Sequence, residues 1–233
     1  MLISGITKFS LIDFPGKVSC IIFTPGCNFR CDFCHNPEFV LPEFLKKNLK
    51  SLIFEKAFLA FLEKRKGLLE GVSICGGEPT LQKDLYIFCK KIKDMGFLVK
   101  LDTNGRDPEV LQKLLDNNLL DYVAMDMKNP FGKLHEIVGV NESEEEYKKS
   151  VKILLNSKIA YEFRTTVIKG IHTEEDIENI AKNIEGAQNY FLQNYRSGNT
   201  LKKDFTGKSF QMQELEQLKN ISKKYVRNIG IRA

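Results

Sequence analysis

Apolar residues along the chain fall into two alternating rhythms. Short, mainly apolar runs recur at 18–23, 72–75, 97–101, 122–125, 160–168 and 189–193. Runs of that length and composition, bounded by turn residues, predict buried strands. Between them lie stretches with apolar residues on a helical stripe. In residues 51–66 the stripe is 53, 54, 57, 58, 61 and 62, and residues 83–95, 107–117 and 211–225 also predict helices. Ser143-x-x-Glu146 and Thr173-x-x-Asp176 predict two more helix starts, the first a capping box opening a helix to about residue 156. The acidic run 142–146 then complements that helix's dipole and is read as structural. Asp107-Pro108 predicts an N-cap with proline in the first helical position. Residues 5–17 predict a short strand and a Phe14-Pro15-Gly16 turn, Pro37 and Pro42 an irregular stretch, and 226–231 a closing strand.

Strand and helix patterns thus alternate about six times, which predicts an α/β fold with a parallel sheet covered by crossover helices. No repeat and no Pro-, Gly- or Ser-rich linker divides the 233 residues, so a single domain is expected.

The polar groups that break this pattern sit where strands end. Cys27, Cys31 and Cys34 follow the first predicted strand, and Gly76-Gly77-Glu78-Pro79 follows the second. Asp102-Thr103-Asn104-Gly105 follows the third, Asp126-Met127-Lys128 the fourth, and Gln193-Asn194 the sixth; Arg164 lies inside the fifth. In parallel α/β folds the carboxyl ends of strands share one face, where active sites assemble. Any one of these motifs could be only a turn or an ion pair, but their recurrence over most strands points to one ligand.

Three cysteines spaced Cys-x3-Cys-x2-Cys suit soft thiolate ligation of one metal centre. Without an obvious fourth ligand they suggest a [4Fe–4S] cluster with one open iron. A Cys3His zinc site through His35 is the competing reading, although adjacent Cys34 and His35 would strain chelation. Cys20, Cys75 and Cys89 stand apart on apolar segments and read as reduced core thiols; no second cluster is indicated. Gly76 and Gly77 allow close backbone approach to a ligand, and Glu78 or a neighbouring carbonyl can meet an ammonium group. Asp102 and Asp126 offer hard oxygens; Lys128 and Arg164 can meet an anion. A ligand with an amine, a carboxylate and a ribose, such as S-adenosylmethionine, would use all of them.

Composition adds limits. Hydrophobic residues are 42% and charged residues 28%, with a net charge of +5 spread over scattered lysines, so no nucleic-acid groove is expected. No apolar run reaches the roughly 18 residues of a membrane span, and no signal peptide is evident, so no membrane and a cytoplasmic location are expected.

The motif Cys27-x3-Cys31-x2-Cys34, with aromatic Phe33 before the third cysteine, resembles the radical S-adenosylmethionine signature. Gly76-Gly77-Glu78-Pro79 resembles that superfamily's methionine-amine motif. Asp102-Thr103-Asn104-Gly105, Asp126-Met127-Lys128 and Arg164 resemble the set in pyruvate formate-lyase activating enzyme and related activators. Residues 10–16 and Cys34-His35-Asn36-Pro37 look most like the short activating proteins of anaerobic ribonucleoside-triphosphate reductase.

The resemblance spans about residues 5–195. It implies a partial (β/α)6 TIM-type barrel with its core at about 15–195 and a C-terminal helix and strand at 211–231. Cys27, Cys31 and Cys34 would hold three irons. Phe33, Gly76, Gly77, Glu78, Asp102, Asp126, Lys128 and Arg164 would surround S-adenosylmethionine on the fourth. Asp102, Thr103, the Ala124 carbonyl and Asp126 match the site of a monovalent cation. The segment Gln193-Asn194-Tyr195-Arg196 lies where family members contact adenosine, without fixing which residue does so. Implied function is one-electron cleavage of the sulfonium to a 5′-deoxyadenosyl radical. That radical would take hydrogen from a backbone glycine of a glycyl radical enzyme, here anaerobic ribonucleotide reductase. Flavodoxin or ferredoxin would be the reductant. A radical enzyme acting on a small molecule, as 7-carboxy-7-deazaguanine synthase does, and a zinc-stabilised binding module are the alternatives.

Overall fold

The computed structural model describes residues 1–41, 43, 52–140 and 143–232. Pro42, Ser51 at the start of the predicted 51–66 helix, and Glu142 of the acidic run lie outside the described residues. The described chain forms two compact units. The first comprises residues 1–28, 36–103 and 109–123; the second comprises 29–35, 104–108 and 124–233.

The first unit opens with β1 (Leu2–Ile3) and β2 (Gly5–Ser10), followed by β3 (Ser19–Thr24). β2 runs antiparallel to β3, beside the parallel strands that follow. The reason is the short connection. A Phe14–Lys17 turn, closed by Lys17 N–H donating to Phe14 C=O at 3.0 Å with Gly16 at φ +70°, reverses the chain without a crossover helix. A 3-10 turn at Pro37–Phe39 fills the expected irregular stretch.

The predicted 51–66 helix is shorter than its stripe. Ile53–Phe54 form β4, paired antiparallel with β1, and helix α1 covers only Glu55–Glu63. Phe58 and Leu62 are its buried face.

β5 (Gly71–Gly76) and β6 (Leu98–Thr103), joined through helix α2 (Leu85–Asp94), lie parallel to β3 in the order β2-β3-β5-β6. Cys20, Ile22, Val72, Ile74, Val99 and Leu101 are fully buried between these strands and their helices. Helix α3 (Pro108–Asp116) starts at the predicted proline. Burial pushes the Cys20 and Cys89 thiols up to about 12, so both stay protonated core thiols.

β7 (Tyr122–Asp126) runs from the first unit's last residues into the second. The second unit continues with helices α4 (His135–Val138) and α5 (Glu145–Leu155), strand β8 (Ala160–Val167), helix α6 (Glu174–Asn183), strand β9 (Asn189–Asn194), helix α7 (Met212–Ser222) and β10 (Asn228–Arg232). β8, β9 and β10 are parallel neighbours. α6 has its capping box, with Thr173 Oγ1 accepting from Asp176 N–H at 3.1 Å and Asp176 Oδ2 accepting from Thr173 N–H at 3.0 Å.

α5 does not. The residue at its N-cap is Glu144, and Ser143 Oγ accepts instead from Glu145 N–H at 3.3 Å. Glu144 turns away to accept from Gly132 N–H at 2.7 Å and Leu134 N–H at 3.0 Å, which ties the helix start to the preceding loop. Glu145 and Glu146 do occupy the first turn, as expected from the dipole argument. The α/β class with mostly parallel strands and crossover helices is therefore the fold of this chain, in keeping with a partial barrel. No helix among the described residues is long and apolar enough to cross a membrane.

Candidate active site

The predicted site residues divide between the units. Cys27, Gly76, Gly77, Glu78, Asp102 and Thr103 belong to the first. Cys31, Phe33, Cys34, Ala124, Asp126, Lys128 and Arg164 belong to the second.

In the first unit the Gly-Gly pair seats the beginning of the cysteine loop. Gly76 has φ +120°, and a Cβ there would lie 2.2 Å from Thr24 N. A Cβ on Gly77 would lie 1.9 Å from Gly26 O. Bare backbone is needed because Gly77 N–H donates to Thr24 C=O at 2.9 Å, Glu78 N–H to Gly26 C=O at 2.7 Å, and Gln82 Nε2 to Pro25 C=O at 2.7 Å. What the two glycines demonstrably admit is thus the chain's own segment 24–26, next to Cys27. Gly77→Ala should therefore cut iron incorporation sharply and lower the melting temperature. A variant with full iron content and unchanged melting would contradict this close approach.

Glu78 is 1% exposed. Its Oε1 accepts from Thr80 N–H at 3.1 Å, Thr80 Oγ1 at 2.7 Å and Thr103 Oγ1 at 2.8 Å. Three donors on one oxygen fix the carboxylate's rotamer. Thr103, expected beside a cation, gives its hydroxyl to Glu78. Asp102 is ion-paired with Lys100 two residues earlier on the same strand face, and both are buried. The sequence reading passed over Lys100. Its signal was a lysine inside an otherwise apolar strand.

In the second unit Asp126 Oδ1 accepts from Arg164 Nε at 3.0 Å and Arg164 Nη2 at 2.9 Å, while Oδ2 meets Lys128 Nζ at 3.2 Å. Burial alone would raise the Asp126 carboxyl, but the charges of Arg164 and then Lys128 prevail and hold it at about 2. Lys128 is held strongly protonated. Burial opposes its charge, and Asp126 followed by the thiols of Cys31 and Cys34 outweigh that cost. Its ammonium also lies 5.7 Å from the centre of the Phe33 ring, a cation–π contact. The structure thus brings Phe33, Asp126, Lys128 and Arg164 together beside two of the three cysteines.

The part of the cysteine loop in this unit is braced from outside. Arg30 N–H donates to Val138 C=O at 2.7 Å, Leu201 N–H to Cys34 C=O at 3.0 Å, and Lys202 N–H to Asp32 C=O at 3.0 Å. The His35 ring stacks on Tyr195, centroids 5.4 Å apart. Tyr195 is buried and in turn meets Phe205 edge-on. The Asn194 side chain accepts from Phe210 N–H and donates to Phe210 C=O, both at 2.9 Å, so its amide is committed to the backbone. Of the strand-six segment, Tyr195 and Asn194 therefore serve the scaffold.

The cysteine donor set fits an iron–sulfur cluster. None of the six cysteines is in a disulfide. The Lys128 ammonium interacts electrostatically with Cys31 and Cys34, and sulfur is the soft donor that iron takes in such a cluster. In the arrangement described, Cys27 Sγ turns to Asn28 Oδ1 at 3.9 Å, and no three His, Cys, Asp or Glu side chains among the described residues are gathered around a point a metal could occupy.

Comparison with known proteins agrees with this chemistry. The Radical SAM superfamily model matches residues 21–184. A Methanocaldococcus jannaschii protein named "putative glycyl-radical enzyme activating enzyme" is 38% identical over 237 residues, covering 99% of this chain and 95% of that one. Pyruvate formate-lyase-activating enzyme of Clostridium pasteurianum is 31% identical over 137 residues, 54% of this chain and 52% of its own length. Among solved structures, Streptococcus suis SuiB bound to its precursor peptide SuiA superposes with a TM-score of 0.69 over 91% of this chain and 48% of that one; at 17% identity it shows the shared fold. The chain belongs to the Radical SAM superfamily and, within it, to the glycyl-radical-enzyme activating enzymes. The superfamily's cofactors are a [4Fe–4S] cluster and S-adenosylmethionine.

Proposed function

We propose that this enzyme activates a glycyl radical enzyme, with anaerobic ribonucleotide reductase as the partner. The match to an activating-enzyme relative over nearly the whole of both chains carries the activation of a glycyl radical enzyme; the choice of partner rests on the resemblance of residues 10–16 and 34–37. Cys27, Cys31 and Cys34 would hold the cluster. When bound, the cluster and S-adenosylmethionine supply one-electron cleavage to methionine and a 5′-deoxyadenosyl radical, which takes the hydrogen from a glycine Cα and leaves the radical on the partner.

The chain's own residues bind and orient. Glu78, its rotamer fixed by Thr80 and Thr103, suits a ligand ammonium. Lys128 and Arg164, already drawn in by Asp126, suit a carboxylate or ribose oxygens. Gly76 and Gly77 hold the loop that carries Cys27. A monovalent cation near Asp102, Thr103, Ala124 and Asp126 would share the Asp126 carboxylate with the two cationic side chains it already meets. Flavodoxin or ferredoxin as the one-electron reductant and a reducing cytoplasmic setting complete the reading, because a cluster held by thiolates needs its cysteines reduced.

The test is direct. Anaerobically reconstituted protein, a reductant and S-adenosylmethionine are mixed with an anaerobic ribonucleotide reductase. A glycyl doublet in the electron paramagnetic resonance spectrum of the reductase is expected. Cleavage of S-adenosylmethionine without that doublet, but with turnover of a small metabolite, would overturn the partner assignment.

A further inference from the structure

Residues 126–128 follow a pattern that cofactor contacts alone do not require. Three polar side chains from three separate segments converge on the backbone of these three residues. Tyr147 of α5 donates its hydroxyl to Asp126 C=O at 2.8 Å and accepts from Lys128 N–H at 3.3 Å. Thr165 of β8 donates its hydroxyl to Met127 C=O at 2.7 Å, and Tyr190 of β9 donates to that same hydroxyl at 2.8 Å. His172, in the loop after β8, donates from Nε2 to Lys128 C=O at 2.9 Å. Its Nδ1 accepts from Ile168 N–H at 3.0 Å, which fixes the Nε2–H tautomer. Met127 N–H completes the set by donating to Arg164 C=O at 2.7 Å.

Tyr147 and Thr165 are 0% exposed and His172 is 4% exposed. Burial lowers the His172 pKa and raises that of the Tyr147 phenol, so each stays in the neutral form its hydrogen bonds need. Buried polar side chains are costly unless satisfied, and these are satisfied by one short stretch of main chain.

The stretch they hold is where strand geometry ends. β7 ends at Asp126, so past it the backbone relies on the Met127 N–H bond to Arg164 C=O and on these side chains. Lys128 carries four rotatable bonds, and its ammonium has to be held beside Asp126 Oδ2, the Phe33 ring and the thiols of Cys31 and Cys34. Fixing its N–H and C=O removes the backbone share of that freedom.

We infer that Tyr147, Thr165 and His172 are positioning residues, which aim Asp126 and Lys128 at the cofactor by clamping the main chain of residues 126–128. The inference rests on the reading that Asp126 and Lys128 bind S-adenosylmethionine.

Two measurements test it. The first is amide hydrogen exchange at Met127 and Lys128 in the purified protein without cofactor. The second is the dissociation constant for S-adenosylmethionine in reconstituted protein matched for iron per chain. Tyr147→Phe removes the hydroxyl's bonds to Asp126 C=O, Lys128 N–H and Met127 Sδ and should speed exchange at Lys128 and weaken cofactor binding, each about 10-fold. Thr165→Val should weaken binding by a smaller factor, and Thr165→Ser, which keeps the hydroxyl, should restore it. If Tyr147→Phe fails to fold, the Thr165 pair carries the test alone. Faster exchange with binding unchanged would overturn the positioning role, as would Thr165→Val binding like wild type. Lys128→Ala and Asp126→Asn that bind as wild type would instead overturn the underlying reading of those two residues.

Discussion

Cys31→Ala is expected to lose both iron and activity. Anaerobic reconstitution should load wild type with about four irons per chain and the variant with background iron, and the variant should not cleave S-adenosylmethionine on reduction. Two thiolates cannot anchor a cubane cluster that takes three of its ligands from one loop. The Cys31 side chain is buried, 5% exposed, and forms no disulfide, so its truncation removes a sulfur without unlinking the chain. Cys34 N–H still donates to the Cys31 backbone carbonyl at 3.0 Å whatever the side chain is. Circular dichroism should therefore be close to that of wild type. Cys89→Ala is the matched control. Its thiol is wholly buried in the first unit, and losing it should cost about 1–2 kcal/mol of stability and no iron. Full iron content and cleavage in Cys31→Ala would remove the cluster assignment, and with it the proposed chemistry.

Much of this arrangement is legible in the sequence because the signals are local. The strand runs, the Thr173 capping box, the proline start of α3 and the three cysteines each depend on residues within a few positions of one another. What escapes a sequence reading is long-range. Ile53 and Phe54 fit a helical stripe, and their pairing with Leu2 and Ile3 depends on a partner some fifty residues earlier. Ser143 and Glu146 have the spacing of a capping box, but Glu144 is drawn off by two amides ten and twelve residues upstream. The Phe14-Pro15-Gly16 turn is legible, whereas the antiparallel pairing of β2 that it permits depends on the distant strand face it meets.

Site residues divide along the same line. Cys27, Gly76, Gly77, Glu78, Asp102, Asp126 and Lys128 stand out as polar or glycine positions at or near strand ends, and Arg164 as a charge inside an apolar strand. Tyr147, Thr165 and His172 do not, since each reads as an ordinary strand, helix or loop residue until its buried partner is known. Both glycines were legible. Their immediate partner, the backbone ahead of Cys27, was not.

The Asp126 carboxylate carries the largest expected electrostatic effect. Arg164 and Lys128 side chains are 15% and 17% exposed, and Asp126 is their shared counter-charge. Asp126→Asn would leave two cations close together in a poorly solvated place, with a carbonyl and an amide in place of two acceptor oxygens. The carboxyl sits at about 2 against an ordinary 3.8. That difference corresponds to about 2 kcal/mol of folding stability at neutral pH. Because the folded-state value is depressed, the unfolded chain takes up the proton first. The stabilisation is therefore complete above pH 3.8 and is lost as pH falls towards 2. Denaturant titrations of wild type and Asp126→Asn should differ by about 2 kcal/mol from pH 7 down to pH 5, and the gap should close below pH 4. Weaker S-adenosylmethionine binding should accompany the loss, because Lys128 and Arg164 are then no longer gathered by a common partner. A gap that stays constant down to pH 2.5 would mean that Asp126 stabilises by packing and not by charge, and would detach Lys128 and Arg164 from it.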